Sequence, residues 1–369
     1  MSRPVVRRVW VFLGPLCGAG LGGLAIWVIG ALVCDSAPEW EYNSTLGFNV
    51  RRAGSQQRYR SEGGAISHFA AWGLNPVTAG AATGTAMKVF MHGDSFVEAL
   101  QVTDGDKPDA QLTRALIGGR PSARAAVVLG LGSAGASGAD YYYRIPAWER
   151  ALGAPAAHVI ISQQVDDFLP GSIFQHHSRF LDEPRFRLVE DSESAVSPRK
   201  AMIARWINRL RLEVVVQIAH RWRTARKEGL RFRVGPLPLK EPPLDGERRT
   251  ADKERAAFDY MFSMLRRQTA QPILVVYCPP ILKLRDGAVQ TTDVNADSVE
   301  RLEQCARAQG VDFLTVGPDL LRLYEREGRL PYGFPNSKPG SGHWNADGIR
   351  AAMTAVAKHL REDYAAFSD

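Results

Sequence analysis

Residues 88–103 read KVFMHGDSFVEALQVT, and this stretch decides the fold of the chain. The apolar run predicts a strand, and Gly93 and Asp94 after it predict a turn into a helix that begins at Ser95. A serine in this place has an exposed hydroxyl, and its backbone N–H lies at the positive end of the helix dipole. Acyl transfer requires this combination of a nucleophile and a donor to the developing anion. Because Gly-Asp-Ser also occurs in ordinary turns and helix N-caps, the triplet needs support from a second segment.

Strands and helices alternate along the chain after residue 86. Apolar runs predict strands at 87–92, 125–131, 157–162, 272–277 and 312–316, and helical periodicity predicts helices at 107–117, 138–151, 251–268, 296–309, 317–327 and 345–362. Nearly continuous apolar strands separated by helices indicate an α/β fold with a parallel sheet covered on both faces. Such sheets carry their sites at the carboxyl ends of the strands, so Ser95 and the residues after the neighbouring strands are expected at one edge.

The second segment is 339–348, which reads PGSGHWNADG and precedes the last predicted helix. His343 lies in this loop, from which it can meet Ser95 across the edge of the sheet. A neutral histidine takes the serine proton during attack and delivers it to the leaving group. The chain has eight histidines, and a lone loop histidine is usually exposed and without a role, so His343 is significant only together with Ser95.

Together these segments resemble the SGNH/GDSL hydrolase family over about residues 85–170 and 270–362, with four motif blocks in the family's order. The matching blocks are GDS at 93–95, LGSAG at 131–135, VDD at 165–167, where the family has Asn-Asp, and HWNADG at 343–348. The resemblance implies a flavodoxin-like, three-layer fold and the hydrolysis or transfer of an acyl ester. No Gly-x-Ser-x-Gly occurs, which disfavours an ordinary α/β-hydrolase.

The resemblance also implies a role for each matched residue. Ser95 is the expected nucleophile and His343 the expected general base. The expected oxyanion donors are Ser95, Gly132 and Asp166, and the expected supporting residues are Asp94, Asp167 and Asn345. The two adjacent histidines at 176 and 177 have no carboxylate or cysteine at ligand spacing, so neither a metal nor a cofactor is expected.

Two positions depart from the family's pattern. The family has an aspartate two or three residues before the histidine, where this chain has Gly340 and Ser341. The imidazole of His343 therefore needs a backbone carbonyl or a distant carboxylate to orient it. Asp166 stands in place of an asparagine that donates to the oxyanion, and it can donate only if burial keeps it protonated. The alternatives are that Gln163 or Gln164 supplies the amide, or that catalysis has been lost.

Residues 9–34 contain no charged side chain, which predicts an uncleaved transmembrane anchor; a cleaved signal peptide is the alternative. Three arginines precede this run and three acidic residues follow it, so the positive-inside rule places the rest of the chain outside the cytoplasm. The expected organisation is a cytoplasmic segment 1–8, an anchor 9–34, a linker with irregular structure 35–84, and a hydrolase-like domain 85–369. The expected location is the inner membrane, facing the periplasm or exterior.

The domain contains an insertion at about 170–250. Within it, residues 200–228 place apolar side chains at helical spacing among arginines. Such a helix lies on a membrane surface or packs on the domain with a solvated arginine face, and the second arrangement is favoured. The residues 279–297 predict a long loop without secondary structure, which would act as a lid or a substrate wall.

The net charge of +7 comes without a nucleic-acid motif, which favours an anionic lipid surface or an acidic glycan over DNA. Cys278 and Cys305 are either a disulfide pair or buried free thiols, and free thiols are favoured. The expected function is a membrane-anchored serine esterase or O-acyltransferase acting on an O-acetylated carbohydrate or another ester. A transferase would need a multi-span partner that supplies the acyl donor. The alternative is a catalytically degenerate module for glycan binding or polysaccharide assembly.

Overall fold

The computed structural model describes all residues of the chain except those in twelve segments. These segments are residues 1–19, 31, 33, 81–85, 119–125, 172–177, 183–184, 191–196, 217, 220–249, 286 and 368–369. The strands of the described residues are β1 Trp40–Asn43, β2 Phe48–Arg51, β3 Gln56–Arg58, β4 Ile66–His68, β5 Met87–Gly93, β6 Ala126–Gly130, β7 Ala157–Ser162, β8 Ser178–Leu181, β9 Arg187–Glu190, β10 Ile273–Tyr277, β11 Lys283–Arg285, β12 Ala288–Gln290 and β13 Asp312–Thr315.

Helices separate the long strands, as the sequence predicts. The α-helices are α1 Pro76–Ala79, α2 Ser95–Glu98, α3 Pro108–Ile117, α4 Gly138–Leu152, α5 Pro198–Leu210, α6 Ala251–Gln268, α7 Ala296–Ala308, α8 Gly317–Glu327 and α9 Ala346–Asp363, and residues 20–30 are also helical. One-turn 3-10 helices occur at Ala71–Gly73, Asp104–Asp106 and Val165–Phe168. The five strands and six helices predicted after residue 86 are all present, with ends that differ by one residue at most.

Five strands form one parallel sheet in the order β13–β10–β7–β5–β6. Numbered by their order in the chain, these strands lie 2-1-3-4-5, an order that reverses between β5 and β7. Ligands of doubly wound sheets bind outside the carboxyl ends of the strands at such a reversal. The predicted α/β fold with a parallel sheet is therefore confirmed, and β5 delivers Ser95 to the reversal point.

The sheet is buried between two helix layers. Val89 and Met91 of β5 point into a core built with α3, α8 and α9, while Phe90 between them points to the side of α4. A further apolar cluster joins α4, α6 and α7 to the other face of β7, β10 and β13. Because the strands are covered on both faces, they appear in the sequence as unbroken apolar runs.

The segment 35–84, expected to be a linker with irregular structure, forms two antiparallel hairpins, β1–β2 and β3–β4. Two of its arginines are buried in ion pairs, Arg51 with Glu98 and Arg58 with Glu213. The first two strands, WEYN and FNVR, alternate apolar and polar side chains over only four residues each, and β3, QQR, has no apolar side chain at all. A charged side chain that is buried with a partner has the same sequence signal as a solvated one, which explains why the hairpins were not predicted.

The insertion differs from its prediction in two ways. The helix predicted over 200–228 is interrupted at Arg211, which has φ +54° and ends α5, and residues 217 and 220–228 lie outside the described part of the chain. No residue of α5 is buried, so in this part the helix does not bury its apolar face on the domain as expected. Within the described residues no helix is long and apolar enough to cross a membrane. Of the predicted anchor 9–34, residues 9–19, 31 and 33 lie outside the described part of the chain.

The residues 279–297 contain the hairpin β11–β12 rather than a structureless loop. The N–H of Leu284 donates to the Gly340 carbonyl at 2.9 Å, so this hairpin contacts the loop that carries His343. Cys278 and Cys305 are buried free thiols. The adjacent histidines at 176 and 177, for which the sequence predicts no metal site, lie outside the described residues.

Candidate active site

Ser95 lies where β5 ends and α2 begins. The Asp94 side chain caps this helix by accepting the Phe96 N–H at 2.8 Å. The helix is only one turn long, because Ala99 adopts the left-handed conformation at φ +46° and ends it. A side chain at Gly93 would collide with Val97, so the tight passage from strand to helix requires glycine there. The result is a serine held at the edge of the sheet by backbone geometry.

His343 reaches Ser95 from the loop before α9. Its Nε2 lies 3.0 Å from the Ser95 Oγ. The loop is fixed by Asn345, whose side chain accepts the backbone N–H groups of Asp347 and Gly348 as the N-cap of α9 and donates to the Leu330 carbonyl at 2.8 Å. The structure therefore brings the two residues predicted as nucleophile and base within hydrogen-bonding distance, and it places Asn345 in a supporting position.

A third residue, Glu62, completes this arrangement, and it was missing from the predicted site. Glu62 Oε2 lies 2.6 Å from the His343 Nδ1, and Oε1 accepts the His343 backbone N–H at 2.9 Å. Burial acts to raise the pKa of Glu62, but the hydrogen bonds from His343 outweigh it, and the net shift is downward. An ionised Glu62 accepts a hydrogen bond from Nδ1–H and so keeps the ring proton on Nδ1, which leaves Nε2 free to accept the Ser95 proton.

Glu62 is the distant carboxylate that the imidazole of His343 needs, because no aspartate lies two or three residues before this histidine. Gly340 has φ +67°, and a Cβ there would lie 2.9 Å from the Leu284 backbone nitrogen. An aspartate at this position would be strained and would collide with β11. Gly342 has φ +76°, and a Cβ there would collide with Glu62 Oε1. Gly340 thus excludes an aspartate at one of the two positions before His343, and Gly342 leaves room for a carboxylate from another segment.

Glu62 occupies the turn between β3 and β4. Gly63 follows it with φ +76°, and a Cβ at this position would collide with the Gln101 carbonyl. Asn336 holds both sides of the turn: it accepts the Gly63 N–H at 2.9 Å and donates to the Arg60 carbonyl at 3.0 Å. The only signal for Glu62 in the sequence is an acidic residue followed by two glycines in an arginine-rich segment, which is too common to assign a role.

Two backbone N–H groups beside Ser95 lack an acceptor in the described part of the chain. In the glycine block, the N–H of Leu131 donates to Met91 and that of Ser133 donates to Gly93, whereas the N–H of Gly132 between them has no acceptor. The N–H of Ser95 itself is the second. A Cβ at Gly132 would lie 2.5 Å from the Glu98 nitrogen, so the glycine block packs directly on the turn that carries Ser95. Unpaired donors in this place suit an oxyanion.

Arg51 and Glu98 support the glycine block from behind. Arg51 Nε donates to Glu98 Oε1 at 2.8 Å, and the Ala134 N–H donates to Glu98 Oε2 at 3.3 Å. The Arg51 guanidinium lies 4.0 Å from the centre of the Trp40 ring. The N-terminal hairpins therefore contribute to the site twice, through Glu62 and through Arg51.

The three polar residues after β7 have different surroundings. Asp166 is exposed, so it lacks the burial on which its predicted donor role depends. Gln163 is buried beside the Tyr332 hydroxyl, and its amide nitrogen meets no acceptor in hydrogen-bonding geometry among the described residues. Asp167 is also buried and accepts the Ser162 hydroxyl at 2.6 Å. Burial raises the pKa of Asp167 to about 8, and burial likewise raises the pKa of Asp94.

Among the described residues there is no group of three or more histidine, cysteine or acidic side chains that could hold a metal ion. The groups that converge on Ser95 are an imidazole, a carboxylate and unpaired N–H donors. This set can deprotonate a hydroxyl and stabilise an anion next to it.

The sequence matches no protein-family model, and no curated protein matches it. The chain is similar to an α/β hydrolase enzyme from the metagenome of Lake Arreo, Spain, with 13% identity and a TM-score of 0.38 over 75% of this chain and 99% of that chain. It is similar to an acetyl xylan esterase, with 15% identity and a TM-score of 0.37 over 74% and 100% of the two chains. A third similar structure is described as a GDSL-like lipase from Parabacteroides merdae, with 11% identity and a TM-score of 0.38 over 74% and 96%.

The description of the third structure contains the name of the family that the sequence motifs resemble. The identities are low and the TM-scores are below 0.5, so the roles of individual residues rest on the geometry of this chain alone.

Proposed function

We propose that this chain is a serine esterase of the SGNH/GDSL type, in which Ser95, His343 and Glu62 act as nucleophile, general base and orienting acid. One observation carries the proposal: the continuous hydrogen-bonded chain from the Ser95 Oγ through both ring nitrogens of His343 to the Glu62 carboxylate, with distances of 3.0 and 2.6 Å. This is the geometry that nucleophilic catalysis requires of a serine and its base.

The reaction has two halves. Ser95 Oγ attacks the ester carbonyl carbon while its proton passes to His343 Nε2, and the carbonyl electron pair moves onto oxygen. The tetrahedral intermediate collapses, the alcohol leaves with the proton from Nε2, and an acyl-enzyme remains. Water then attacks the acyl carbon, gives its proton to Nε2, and releases the carboxylic acid as the proton returns to Ser95. Glu62 stays ionised throughout and stabilises the imidazolium.

We assign the oxyanion hole to the N–H groups of Ser95 and Gly132 and to the amide of Gln163, in place of the predicted Asp166. An ionised carboxylate next to the developing anion would repel it, whereas an amide donates. Gln163 supports this choice, because its amide nitrogen meets no acceptor in hydrogen-bonding geometry within the described part of the chain. Replacing Gln163 with alanine should lower kcat on the order of 10²-fold. Asp166→Asn is the control from the same loop and should leave kcat within about twofold; the reverse pattern would return the role to Asp166.

The proposed substrate is an O-acetyl ester on a carbohydrate, as the resemblance to the family implies. An O-acyltransferase would share every step up to the acyl-enzyme and would differ only in using a sugar hydroxyl instead of water. We further propose that residues 9–34 anchor the chain in the inner membrane with the domain outside the cytoplasm. The uncharged run and the charges on either side of it support this proposal.

The test is hydrolysis of 4-nitrophenyl acetate and release of acetate from an acetylated oligosaccharide by the full-length protein. Ser95→Ala should lower kcat/KM by at least about 10³-fold. Ser341→Ala is the control, because the Ser341 hydroxyl lies in the histidine loop but donates to the Lys338 carbonyl. Equal rates for Ser95→Ala and wild type would refute the esterase. Acetate transferred to an added sugar instead of released would favour the acyltransferase, and a folded protein with no turnover would favour the degenerate binding module.

A further inference from the structure

The exposed apolar side chains of the molecule are concentrated in two segments. In the described part of the chain, fourteen of the nineteen large hydrophobic side chains that are exposed lie in residues 21–32 and 202–218. The other five, such as Val77 and Val294, are scattered over the surface. Single exposed apolar residues are normal, but a concentration of this kind marks an interaction site.

The two segments lie side by side. The indole N–H of Trp27 donates to the Leu210 carbonyl at 2.8 Å, which joins the residue 20–30 helix to the end of α5. Gly30 packs so closely on Val214 that a Cβ at position 30 would collide with it. Residues 20–32 and 198–218 therefore present one continuous surface, called here the helix-pair surface.

The first helix of this surface is apolar all round. Every residue from 20 to 29 is exposed, and none of them is charged. A helix in water has a polar side, and a helix without one belongs in apolar surroundings. This part of the surface therefore fits the interior of a lipid layer better than water.

The second helix has its apolar face turned away from the domain. Met202, Trp206 and Leu210 follow each other at a spacing of four residues, and all three are exposed. On the side towards the domain, Asn208 accepts the Ala37 N–H and donates to the Ala37 carbonyl, both at 2.9 Å. This is the reverse of the arrangement on a water-facing helix, which points its polar residues outward.

The charges of the second helix indicate what kind of apolar surroundings it fits. Residues 197–212 contain five basic side chains and no acidic one, and Arg205 and Arg209 are exposed beside the apolar face. The next acidic residue, Glu213, is buried against Arg58. A helix that combines an exposed apolar face with arginines lies in the interface of an anionic membrane, and tryptophan is enriched at the same depth.

We propose that the helix-pair surface is a membrane-docking site for an anionic phospholipid bilayer, with residues 20–30 immersed and α5 lying in the interface beside them. The contact of α5 with the membrane fixes the orientation of the whole domain, because Asn208 bonds Ala37 just before β1, and Glu213, three residues after α5, pairs with Arg58 of β3. The proposal does not depend on the chemistry at Ser95.

The test uses the full-length protein in vesicles of three parts phosphatidylcholine to one part phosphatidylglycerol, with a small fraction of lipid that carries a photoreactive diazirine in its acyl chain. After illumination, labelled peptides are identified by mass spectrometry. Label is expected on peptides from 198–218 as well as on the N-terminal peptide, and it should be absent from the peptides that contain Val77 and Val294. Label on the N-terminal peptide alone would overturn the proposal.

A double variant makes the test specific. Met202→Ser with Trp206→Ser should lower labelling of the 198–218 peptide by about tenfold, while hydrolysis of a soluble ester stays unchanged. Val77→Ser with Val294→Ser is the control and should leave the labelling as it is. Undiminished labelling in the first variant contradicts the proposal. A second contradicting outcome is that α5 of the wild type stays unlabelled and the wild type is a dimer, which the first variant converts to a monomer. The surface would then be a contact between two copies of the chain.

Discussion

Two parts of the molecule meet at His343, and they are held in place by different forces. The Ser95 side is the edge of the parallel sheet, where residues 89–93 of β5 are buried between two helix layers. The Glu62 side is a hairpin turn that is held by glycine conformations and by two hydrogen bonds with the Asn336 side chain, one accepted and one donated. One half of the site is thus part of the core, and the other half is laid against it.

The difference between the two halves predicts how each should respond to mutation. At the sheet edge the neighbours of the critical glycines are backbone and core atoms, which cannot move without disturbing the fold. Where the histidine loop meets the hairpin, the neighbour of Gly342 is the end of the Glu62 side chain, which can move. Changes on the Ser95 side should therefore affect stability and chemistry together, whereas changes on the Glu62 side should affect chemistry with little loss of stability.

Gly132→Ala should have the largest combined effect. Its Cβ would lie 2.5 Å from the Glu98 nitrogen and 2.7 Å from the Val97 Cβ, so the glycine block must move away from the turn that carries Ser95. The expected destabilisation is about 1–3 kcal/mol, and the displaced N–H should cost on the order of 10²–10³-fold in kcat. Thermal unfolding and ester hydrolysis measure the two effects. Gly80→Ala, with open space around its Cβ, should change neither.

Glu62→Gln should lower kcat on the order of 10²–10³-fold while KM changes little. Glutamine keeps the shape of the side chain but has no negative charge to stabilise the imidazolium of His343. The midpoint of thermal unfolding should shift less than in Gly132→Ala. Glu41→Gln, in β1 of the same N-terminal segment, serves as the control and should retain wild-type kinetics. Wild-type kcat in Glu62→Gln would show that this carboxylate is not part of the machinery.

Gly342→Ala should have a smaller effect on the same carboxylate. The new Cβ would collide with Glu62 Oε1 and push that oxygen from the His343 N–H, so we expect kcat to fall about tenfold. Part of any effect comes from strain at φ +76°. Gly328→Ala separates the two causes, because Gly328 has φ +64° with nothing near its Cβ. If both variants lose activity equally, the collision with Glu62 is not the cause.

Asp167→Asn should change only the pH dependence of stability. The pKa of Asp167 is raised by burial to about 8 in the folded chain, against about 4 when unfolded. Between these values the unfolded chain binds fewer protons, so this residue makes stability fall as pH rises, by about 1 kcal/mol per pH unit. Asparagine removes that fall, and urea unfolding at pH 5 and pH 7 measures the difference. Asp166→Asn, at the exposed neighbour, should retain the wild-type slope.

The comparison of the two regions also explains what could be predicted from the sequence. Strands that are buried on both faces and helices with one apolar face have strong signals in the sequence. The five strands of the parallel sheet and the helices around it were therefore predicted to within a residue. Ser95 and His343 follow from the same pattern, because parallel strands bring their carboxyl ends to one edge.

The N-terminal hairpins had no such signal. Their strands are three or four residues long, and Arg51 and Arg58 are buried through ion pairs with Glu98 and Glu213, which lie 47 and 155 residues away along the chain. Pairing over these distances cannot be read from local periodicity. Glu62 was missed for the same reason: its partner His343 is 281 residues away.

The most direct test of the account is labelling of the full-length protein with a fluorophosphonate, followed by intact mass and peptide mapping. Wild type and Ser341→Ala should each gain one adduct, located on Ser95, and Glu62→Gln should gain it more slowly. Ser95→Ala should gain none. A folded wild type without an adduct, or an adduct of the same rate in Ser95→Ala, would contradict the claim that Ser95 is a nucleophile activated by His343 and Glu62.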